Sequence, residues 1–513
     1  MRETISILML PWLAHGHISP FLELAKRLAD RNLRIHICSS PMNLESIRSR
    51  IPEKYSSSIR LLEIHLPSLP ELPPQRHTTN GLPLHLMPVL KRAFDMSAPN
   101  FAEILVNLKP DLLIYDFLMP WAPELARSHN VRAVTFLSVG AGMASFVFHL
   151  LKNPGVDFPF EGLFSVDDHV SQMFCQILES PSSGITDKDR VLQCIERSSD
   201  ILLMKTFREL EGKYIDCLSD LTGKRAVPVG PLVHDPLLQA DQAGTHIIEW
   251  LDKKPISSTV FVSFGTEYFL TDQEREEIAH GLERSNVNFI WVMRFPGGER
   301  QDLEDALPKG FLERVAGRGL VVEKWAPQVR ILEHESIGGF VSHCGWSSVM
   351  ESMKFGVPII AVPMQLDQPF NAKVVERVGV GIEVKRNPSS GRFEGEDIGR
   401  VIRGLVKERG GEGVRKRVKE SYIKGRRIGL EQSISQISCK IIAASNSTII
   451  QRMPRVEANI RPYRGALNSA ITLVVWPSCI ANPLTQFPWE SSIRPPPPAI
   501  PGLPKLEPSV FSL

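Results

Sequence analysis

Two polar segments follow short apolar runs in the first quarter of the chain, where a catalytic base and its partner could lie. The run Ile5–Leu10 is followed by the segment HGHISP, which contains His15 and His17, and the run DLLIY ends at Asp116. If both runs are parallel strands, these side chains lie at the carboxyl edge of one sheet. A carboxylate fixes the tautomer of an imidazole and stabilises the imidazolium that forms when the ring takes a proton. The pattern predicts a base that activates a hydroxyl nucleophile.

Either histidine could be that base. Both lie at the start of a predicted helix, whose partial positive charge disfavours imidazolium, so we expect a neutral ring. A lone histidine at a helix start is more commonly a capping or core residue. The Gly-His-x-x-Pro context around His17 and the strand-end Asp116 favour the catalytic interpretation.

A dense block of polar residues lies between Trp325 and Gln368. Its segment SHCGWSS, residues 342–348, runs from a predicted strand into a predicted helix. Exposed N–H groups and the dipole at a helix start bind anions such as a diphosphate. His343 and Ser348 can add side-chain hydrogen bonds, and a carboxylate at Glu351 can accept from two ribose hydroxyls. The block predicts a site for a nucleotide sugar.

The fragment Ser348-x-x-Glu351 has a second interpretation as a capping box, which stabilises a helix without any ligand. The rest of the block favours ligand binding. Trp325 is predicted to end the strand GLVVEKW and to stack on a uracil, with Ala326 and Gln328 in the loop that follows. Three further polar side chains complete the predicted set of hydrogen-bonding groups for the phosphate and the sugar: Thr266, Asp367 and Gln368.

No metal site is predicted. The pair Asp187-x-Asp189 stands alone in a polar stretch that we expect to be a solvated loop. The seven cysteines are odd in number and scattered, without a CxxC pair, so neither zinc nor a disulfide framework is indicated. The phosphate charge is expected to meet a helix N-terminus and hydrogen-bond donors, with no metal cofactor.

The block from Trp325 to Gln368 resembles the signature box of the plant family-1 UDP-sugar glycosyltransferases, which donate glucose to small lipophilic acceptors. The resemblance spans about residues 5–435 and implies a GT-B fold with His17 as the base and Asp116 as its partner. A glutamine at position 368 implies UDP-glucose rather than UDP-galactose. The implied donor contacts are Ser138, Thr266, Trp325, Ala326, Gln328, His343, Trp346, Ser347, Ser348, Glu351, Asp367 and Gln368.

Two positions depart from the usual family pattern. Ser347 stands where many relatives have asparagine, and the segment 267–269 reads Glu-Tyr-Phe where many are small and glycine-rich. The second departure resembles the branch that extends a sugar on flavonoid or terpenoid glycosides. No carboxylate pair suited to a covalent nucleophile is evident, so direct displacement with inversion is expected. The alternatives are a sugar-nucleotide epimerase and a non-catalytic UDP-sugar-binding protein.

Short apolar runs alternate with amphipathic stretches along most of the chain, which predicts an α/β fold with parallel sheets. Two such series face each other as doubly wound, Rossmann-like domains across a cleft. We expect an acceptor-binding domain at 1–235, a UDP-sugar-binding domain at 236–440 and a Pro-rich, disordered tail at 441–513. The predicted strands are Ile5–Leu10, Leu33–Cys38, Asp111–Tyr115, Ala133–Leu137, Thr259–Phe264, Phe289–Met293, Gly319–Glu323, Gly338–Ser342 and Pro358–Val362.

The overall composition and charge limit which classes of molecule the protein is expected to bind. The 513 residues are 43% hydrophobic and 23% charged, with a net charge of +2, which gives no case for nucleic-acid binding. No apolar run approaches the ~20 residues that span a bilayer. We expect a cytoplasmic monomer whose partners are a UDP-sugar and a small-molecule acceptor.

Overall fold

The computed structural model describes residues 4–160, 176–234, 244–295, 302–323, 325–408 and 411–421. The predicted tail at 441–513 lies outside the described residues. Among those described, no helix is both long enough and apolar enough to cross a membrane. Cys38, Cys194, Cys217 and Cys344 are free thiols.

The first half of the chain forms a parallel sheet whose strand order is β3-β2-β1-β4-β5-β8-β9, together with a short antiparallel hairpin of β6 and β7. The strands are β1 (Ser6–Leu10), β2 (Arg34–Ser39), β3 (Ile59–Glu63), β4 (Leu112–Tyr115), β5 (Arg132–Leu137), β6 (Pro181–Ser182), β7 (Ile185–Thr186), β8 (Ile201–Met204) and β9 (Arg225–Pro228). The helices are α1 (His15–Ala29), α2 (Pro41–Arg48), α3 (Met87–Asp95), α4 (Ala98–Leu108), α5 (Trp121–Ser128), α6 (Ala141–Lys152), α7 (Asp187–Arg197) and α8 (Arg208–Thr222), with 3-10 turns at Glu53–Tyr55, Pro74–Arg76 and Leu84–Leu86.

The second half repeats the architecture with a parallel sheet of order β12-β11-β10-β13-β14-β15. Its strands are β10 (Thr259–Ser263), β11 (Asn288–Met293), β12 (Gly319–Glu323), β13 (Ile337–Ser342), β14 (Ile359–Ala361) and β15 (Gly381–Glu383). Its helices are α9 (Thr245–Leu251), α10 (Asp272–Ser285), α11 (Leu303–Ala306), α12 (Phe311–Arg314), α13 (Gln328–Glu333), α14 (Trp346–Phe355), α15 (Gln368–Arg377) and α16 (Gly395–Val406).

Both sheets are buried on both faces, as the continuous apolar runs require. In β1, Ile7 and Met9 belong to one core cluster while Leu8 and Leu10 belong to another. The same alternation occurs in β10, where Phe261 packs into a different cluster from its two neighbours. Because alternate side chains point to opposite faces of a strand, each sheet separates two cores. The predicted α/β fold with two doubly wound sheets is confirmed.

The strand order places a topological switch point in each sheet. In the first sheet the chain moves from β1 to β2 on one side, and β4 pairs on the other side. In the second sheet β10 is flanked by β11 and β13 in the same way. Ligands bind outside the carboxyl ends of such strands. The loops after β1, β4, β10 and β13 therefore surround the expected binding position.

The predicted solvated loop at Asp187-x-Asp189 is wrong, because these residues begin helix α7. Thr186 is the N-cap, and its Oγ1 accepts a hydrogen bond from the Asp189 backbone N–H at 3.1 Å. Asp187 is buried and forms an ion pair with Lys91. A threonine cap and acidic residues in the first turn stabilise a helix start, so the two carboxylates serve the fold.

Candidate active site

The site is built at the β1/β4 switch point, where His17 lies in the first turn of α1 and Asp116 directly follows β4. His17 Nδ1 lies 2.8 Å from Asp116 Oδ2. The same carboxylate is fully buried, and its two oxygens accept hydrogen bonds from the backbone N–H groups of Trp12 at 3.0 Å and Phe117 at 2.9 Å. These bonds fix the carboxylate, which in turn orients the imidazole. Nε2 has no partner among the described residues.

Ser138, at the end of β5, joins this pair. Its Oγ lies 3.2 Å from His17 Nδ1. The sequence predicted a sugar contact for this hydroxyl, whereas the structure places it beside the ring nitrogen that faces Asp116. A hydroxyl at this position adds a second polar contact that restricts rotation of the imidazole.

The neutral ring expected for His17 stays a prediction, and the pKa shifts in the direction opposite to the one that the helix start favours. Burial lowers the pKa of His17, but the charge and hydrogen bond of Asp116, with Glu267 and Asp367 farther away, outweigh burial and raise the pKa above 6.5. Three carboxylates thus act on one ring, and the helix dipole, whose magnitude is modest, does not decide the outcome.

His15 has the opposite environment. Burial, together with the positive charges of Arg50 and Arg294, lowers the pKa of His15 to about 4. Its Nε2 lies 3.3 Å from Ser19 Oγ, which itself accepts a hydrogen bond from Arg50 at 2.7 Å. His15 is therefore a neutral ring whose near contact is a hydroxyl, without the carboxylate that orients His17.

In the second half, His343 follows β13 and is packed between two glycines. A Cβ at Gly265 or at Gly345 would come within 2.7 Å or 2.6 Å of His343 Nε2, and Gly265 has φ +79°. Burial lowers the pKa of His343 to about 4, so the ring is neutral. Its Nδ1 is buried without a hydrogen-bond partner among the described residues. Thr266 follows Gly265 in the same loop, as predicted.

Helix α14 begins at Trp346, and its N-cap is Gly345, which makes no side-chain cap. The capping-box alternative for Ser348 is therefore wrong, since Ser348 lies inside the helix. Instead, Gln328 Nε2 donates to Glu351 Oε2 at 2.7 Å and to Ser348 Oγ at 3.4 Å. Burial raises the pKa of Glu351, and the Gln328 hydrogen bond and nearby cations oppose that rise.

Trp325 and Ala326 lie in the loop after β12, which spans the predicted range Gly319–Glu323, so Trp325 lies beyond the strand rather than at its end. The Trp325 side chain is 57% exposed, while Ala326 is buried. Gln328 is the first residue of α13 rather than a loop residue. The exposed indole, three residues before Gln328 in the chain, provides a flat surface on which a nucleobase can stack.

Asp367 and Gln368 lie at the start of α15. Asp367 Oδ2 accepts from Asn371 Nδ2 at 2.8 Å, and its pKa is raised because burial outweighs that hydrogen bond. Gln368 Oε1 accepts from the backbone N–H groups of Met364 and Gln365, both at 2.9 Å. The turn thereby fixes the orientation of the Gln368 amide, and its N–H groups remain for a ligand.

Lys205, which directly follows β8, was not predicted as a site residue. Lys205 Nζ donates to Ser347 Oγ at 2.6 Å, and the Trp346 indole N–H donates to the Lys205 carbonyl at 2.6 Å. Trp346 thus binds the first half of the chain through its side chain, which leaves only its backbone for a ligand at the helix start. The signal that could have found Lys205 is the one that found Asp116, a charged residue after a short buried strand.

Other contacts join the loops of the two halves around the same position. Thr79 Oγ1 donates to Glu267 Oε1 at 2.7 Å, and Arg294 donates to Asn80 Oδ1 at 3.3 Å. Glu267 is one of the carboxylates that raise the pKa of His17. Glu267 and Asp367 of the second half therefore lie near enough to His17 to act on its charge, and Ser347 contacts Lys205 of the first half.

Two family models match the chain. The model described as "Glycosyltransferase, N-terminal domain" matches residues 3–234, and the model described as "UDP-glucoronosyl and UDP-glucosyl transferase" matches residues 237–403. Together they include every residue of the candidate site.

Curated relatives and solved structures agree with these models. UDP-glucosyltransferase 29 of Panax ginseng is 53% identical over 435 residues, covering 84% of this chain and 95% of the relative. A β-D-glucosyl crocetin β-1,6-glucosyltransferase of Gardenia jasminoides is 49% identical over 421 residues, covering 82% and 94%. A UGT transferase of Siraitia grosvenorii, solved in complex with UDP, is 28% identical with a TM-score of 0.66, covering 86% and 100%.

Proposed function

The chain belongs to the plant family-1 UDP-glycosyltransferases, enzymes with the GT-B fold, and on that premise we propose that it transfers glucose from UDP-glucose to a hydroxyl of a small lipophilic glycoside. The observation that carries this proposal is the His17–Asp116 pair, at 2.8 Å, whose imidazole also feels the charges of Glu267 and Asp367 from the second half of the chain. A base on one side and an anion-binding helix start on the other are the two elements that the reaction needs.

In the proposed reaction, Nδ1–H of His17 is held by Asp116, and Nε2 takes the proton of the acceptor hydroxyl. The oxygen attacks the anomeric carbon as the bond to UDP breaks, so an α-linked donor gives a β-linked product. Asp116 stabilises the imidazolium, as the aspartate does in a hydrolase triad. The proton rests on His17 until solvent or product takes it.

We propose that the donor lies along the second half. Trp325 stacks on uracil, the Glu351 carboxylate accepts from the ribose hydroxyls, and the N–H groups at the start of α14 meet the diphosphate. Asp367 and the amide of Gln368 contact the hexose. The assignment of glucose is supported by Gln368 and by the names of two relatives that are glucosyltransferases.

A glycoside acceptor is favoured over a free aglycone. The Gardenia relative is named for action on a glucosyl crocetin, so its acceptor already carries a sugar. In this chain, Glu267 lies close enough to His17 and Asp367 to shift both pKa values. A carboxylate at this position can accept hydrogen bonds from hydroxyls of an acceptor sugar while one of them faces the base.

The same geometry supports a proposal for the two domains. We propose that residues 1–235 bind the acceptor and residues 236–440 bind the UDP-sugar, in a cytoplasmic monomer that needs no metal. The base lies in the first of these ranges and the predicted diphosphate contacts in the second.

The test is UDP release from UDP-glucose by the purified protein. Flavonoid and terpenoid aglycones are offered against their monoglucosides, with His17→Ala alongside. We expect release that needs both a glycoside and His17. Release with aglycones alone would overturn the glycoside assignment and keep the enzyme class. Binding of UDP-glucose without release, over a broad acceptor panel, would support a non-catalytic binding protein.

A further inference from the structure

Lys205 is a buried cation for which the protein supplies no ion pair among the described residues. Its side chain is 2% exposed, and its Nζ has one hydrogen bond, to the Ser347 hydroxyl at 2.6 Å. An ammonium group has three N–H donors, so two are left without a protein acceptor among those residues. Burying a charge is unfavourable unless it is paired. Glu351 and Glu23 favour the charged form only from beyond ion-pair distance, so the ammonium is suited to bind an added anion.

The surroundings of Lys205 indicate where that anion binds. Ser347 is the second residue of α14, so the ammonium lies beside the backbone N–H groups of a ten-residue helix that begins there. The unpartnered Nδ1 of His343 lies just before the same helix start. A cation, a helix N-terminus and the His343 ring thus adjoin the same short segment, Gly345–Ser347.

We propose that Lys205 binds the diphosphate of the UDP-sugar. Its ammonium group replaces the hydrogen-bond donor that an asparagine at residue 347 supplies in many relatives. This inference rests on the proposed function. The Ser347 side chain is shorter than that of an asparagine. The Lys205 side chain extends from the opposite half of the chain to the Ser347 hydroxyl. A lysine binds phosphate as a point charge. The charge also stabilises UDP as it leaves, where no metal is expected.

The protonation of Lys205 follows from its environment. Burial lowers the pKa of Lys205 to about 8; Glu351 and Glu23 oppose that shift, and Arg50 adds to it. A diphosphate beside the ammonium favours the charged form and raises the pKa. Above about pH 8, UDP binding therefore takes up a proton from the buffer, and the affinity for UDP falls as the pH rises.

Binding of UDP and of uridine by calorimetry separates this role from a structural one. For Lys205→Met we expect about 10- to 100-fold weaker UDP binding, the range for hydrogen bonds between charged partners, and unchanged uridine binding. At about pH 8.5, roughly half a unit above the pKa of Lys205 in the absence of UDP, we expect UDP binding to the wild type to take up a proton. Calorimetry in buffers of different ionisation enthalpy measures this uptake, which should disappear in Lys205→Met. Lys224→Met is the matched control, because Lys224 Nζ donates to the Ser198 carbonyl at 2.6 Å, away from the helix start.

A second substitution tests the replacement idea directly. In the Lys205→Met background, Ser347→Asn is expected to recover part of the lost UDP affinity, whereas Ser347→Ala is not. Equal UDP binding by wild type and a folded Lys205→Met, with a similar thermal unfolding midpoint, overturns the inference and leaves the proposed function standing. Failure of the wild type to bind UDP overturns the proposed function itself.

Discussion

Nδ1 of His17 and Oδ2 of Asp116 lie 2.8 Å apart although the residues are 99 positions apart in the chain. The contact depends on β1 and β4 being neighbours, because each residue follows one of these strands. The carboxylate holds one ring nitrogen, while the other ring nitrogen has no hydrogen-bond partner among the described residues.

Removing the imidazole of His17 should abolish transfer. We expect His17→Ala to lower the rate of UDP release by roughly 10²- to 10⁴-fold, the usual contribution of a general base, with UDP-glucose binding retained. His15→Ala is the matched control and should keep most activity, since His15 has no carboxylate to orient it. Loss of activity in His15→Ala alone would assign the base to His15.

The pH dependence should show the raised pKa of His17. Below that pKa the ring is protonated and cannot accept a proton, so kcat/KM falls as the pH falls, with a midpoint above 6.5. In Asp116→Asn the largest raising influence is gone, so the midpoint moves to lower pH and the maximal rate drops. The check is kcat/KM over about pH 5 to 9 for both proteins. A midpoint that stays in place in the variant would contradict the coupling.

Glu351→Gln should weaken binding of the ribose. The neutral amide keeps the size of the side chain but is a poorer acceptor for two hydroxyls, and we expect the affinity for UDP to fall about 10-fold or more. Discrimination between UDP and 2′-deoxy-UDP should shrink in the same variant. Glu333→Gln, an exposed carboxylate at the end of α13, is the control. Undiminished discrimination would exclude Glu351 as the ribose contact.

Trp325→Ala should weaken uridine and UDP alike, because stacking acts on the base and not on the phosphates. Base–aromatic stacking contributes about 1–3 kcal/mol, which corresponds to roughly 5- to 100-fold in affinity. Trp325→Phe should retain part of it. Trp250→Ala, which removes an indole that lies against Lys254, is the control. Equal uridine binding by Trp325→Ala and wild type would show that the exposed indole has another role.

Treatment with EDTA followed by dialysis should leave the rate of UDP release unchanged. The diphosphate charge is expected to be met by the start of α14 and by the side chains around it, so a divalent cation is not required for the reaction. The measurement compares treated protein with protein resupplied with Mg²⁺. A treated enzyme that regains activity only with Mg²⁺ would contradict this expectation.

Most of the sheet architecture was predictable, because fully buried parallel strands are apolar runs with polar residues at their carboxyl ends. The runs at β1, β4, β10 and β13 were predicted to within about two residues, and they carry the loops of the site. The strands β3, β6, β7, β8, β9 and β15 were not predicted. β8 is only four apolar residues, which periodicity alone cannot distinguish from a buried helix segment.

Site residues that directly follow a predicted strand could be predicted from the sequence. Site residues whose environment depends on contacts between the two halves of the chain were harder to predict. Missing β8 meant missing Lys205 as well. The direction of the His17 pKa shift could not be read from its position at a helix start, because Asp116, with smaller contributions from Glu267 and Asp367 of the other half, outweighs burial. The side-chain orientation of Trp346 depends on Lys205 for the same reason.

The indole of Trp346 lies at the junction of the halves, donating to the Lys205 carbonyl and packing 3.3 Å from where a Cβ on Gly140 would be. The helix that begins with this tryptophan also begins the proposed diphosphate site. Coupling between two sites is reciprocal, so if bound nucleotide stabilises the contact between the halves, that contact strengthens nucleotide binding by the same free energy. Dissociation of UDP and loosening of the contact between the halves are therefore coupled equilibria. Residues that do not contact UDP contribute in this way to its affinity.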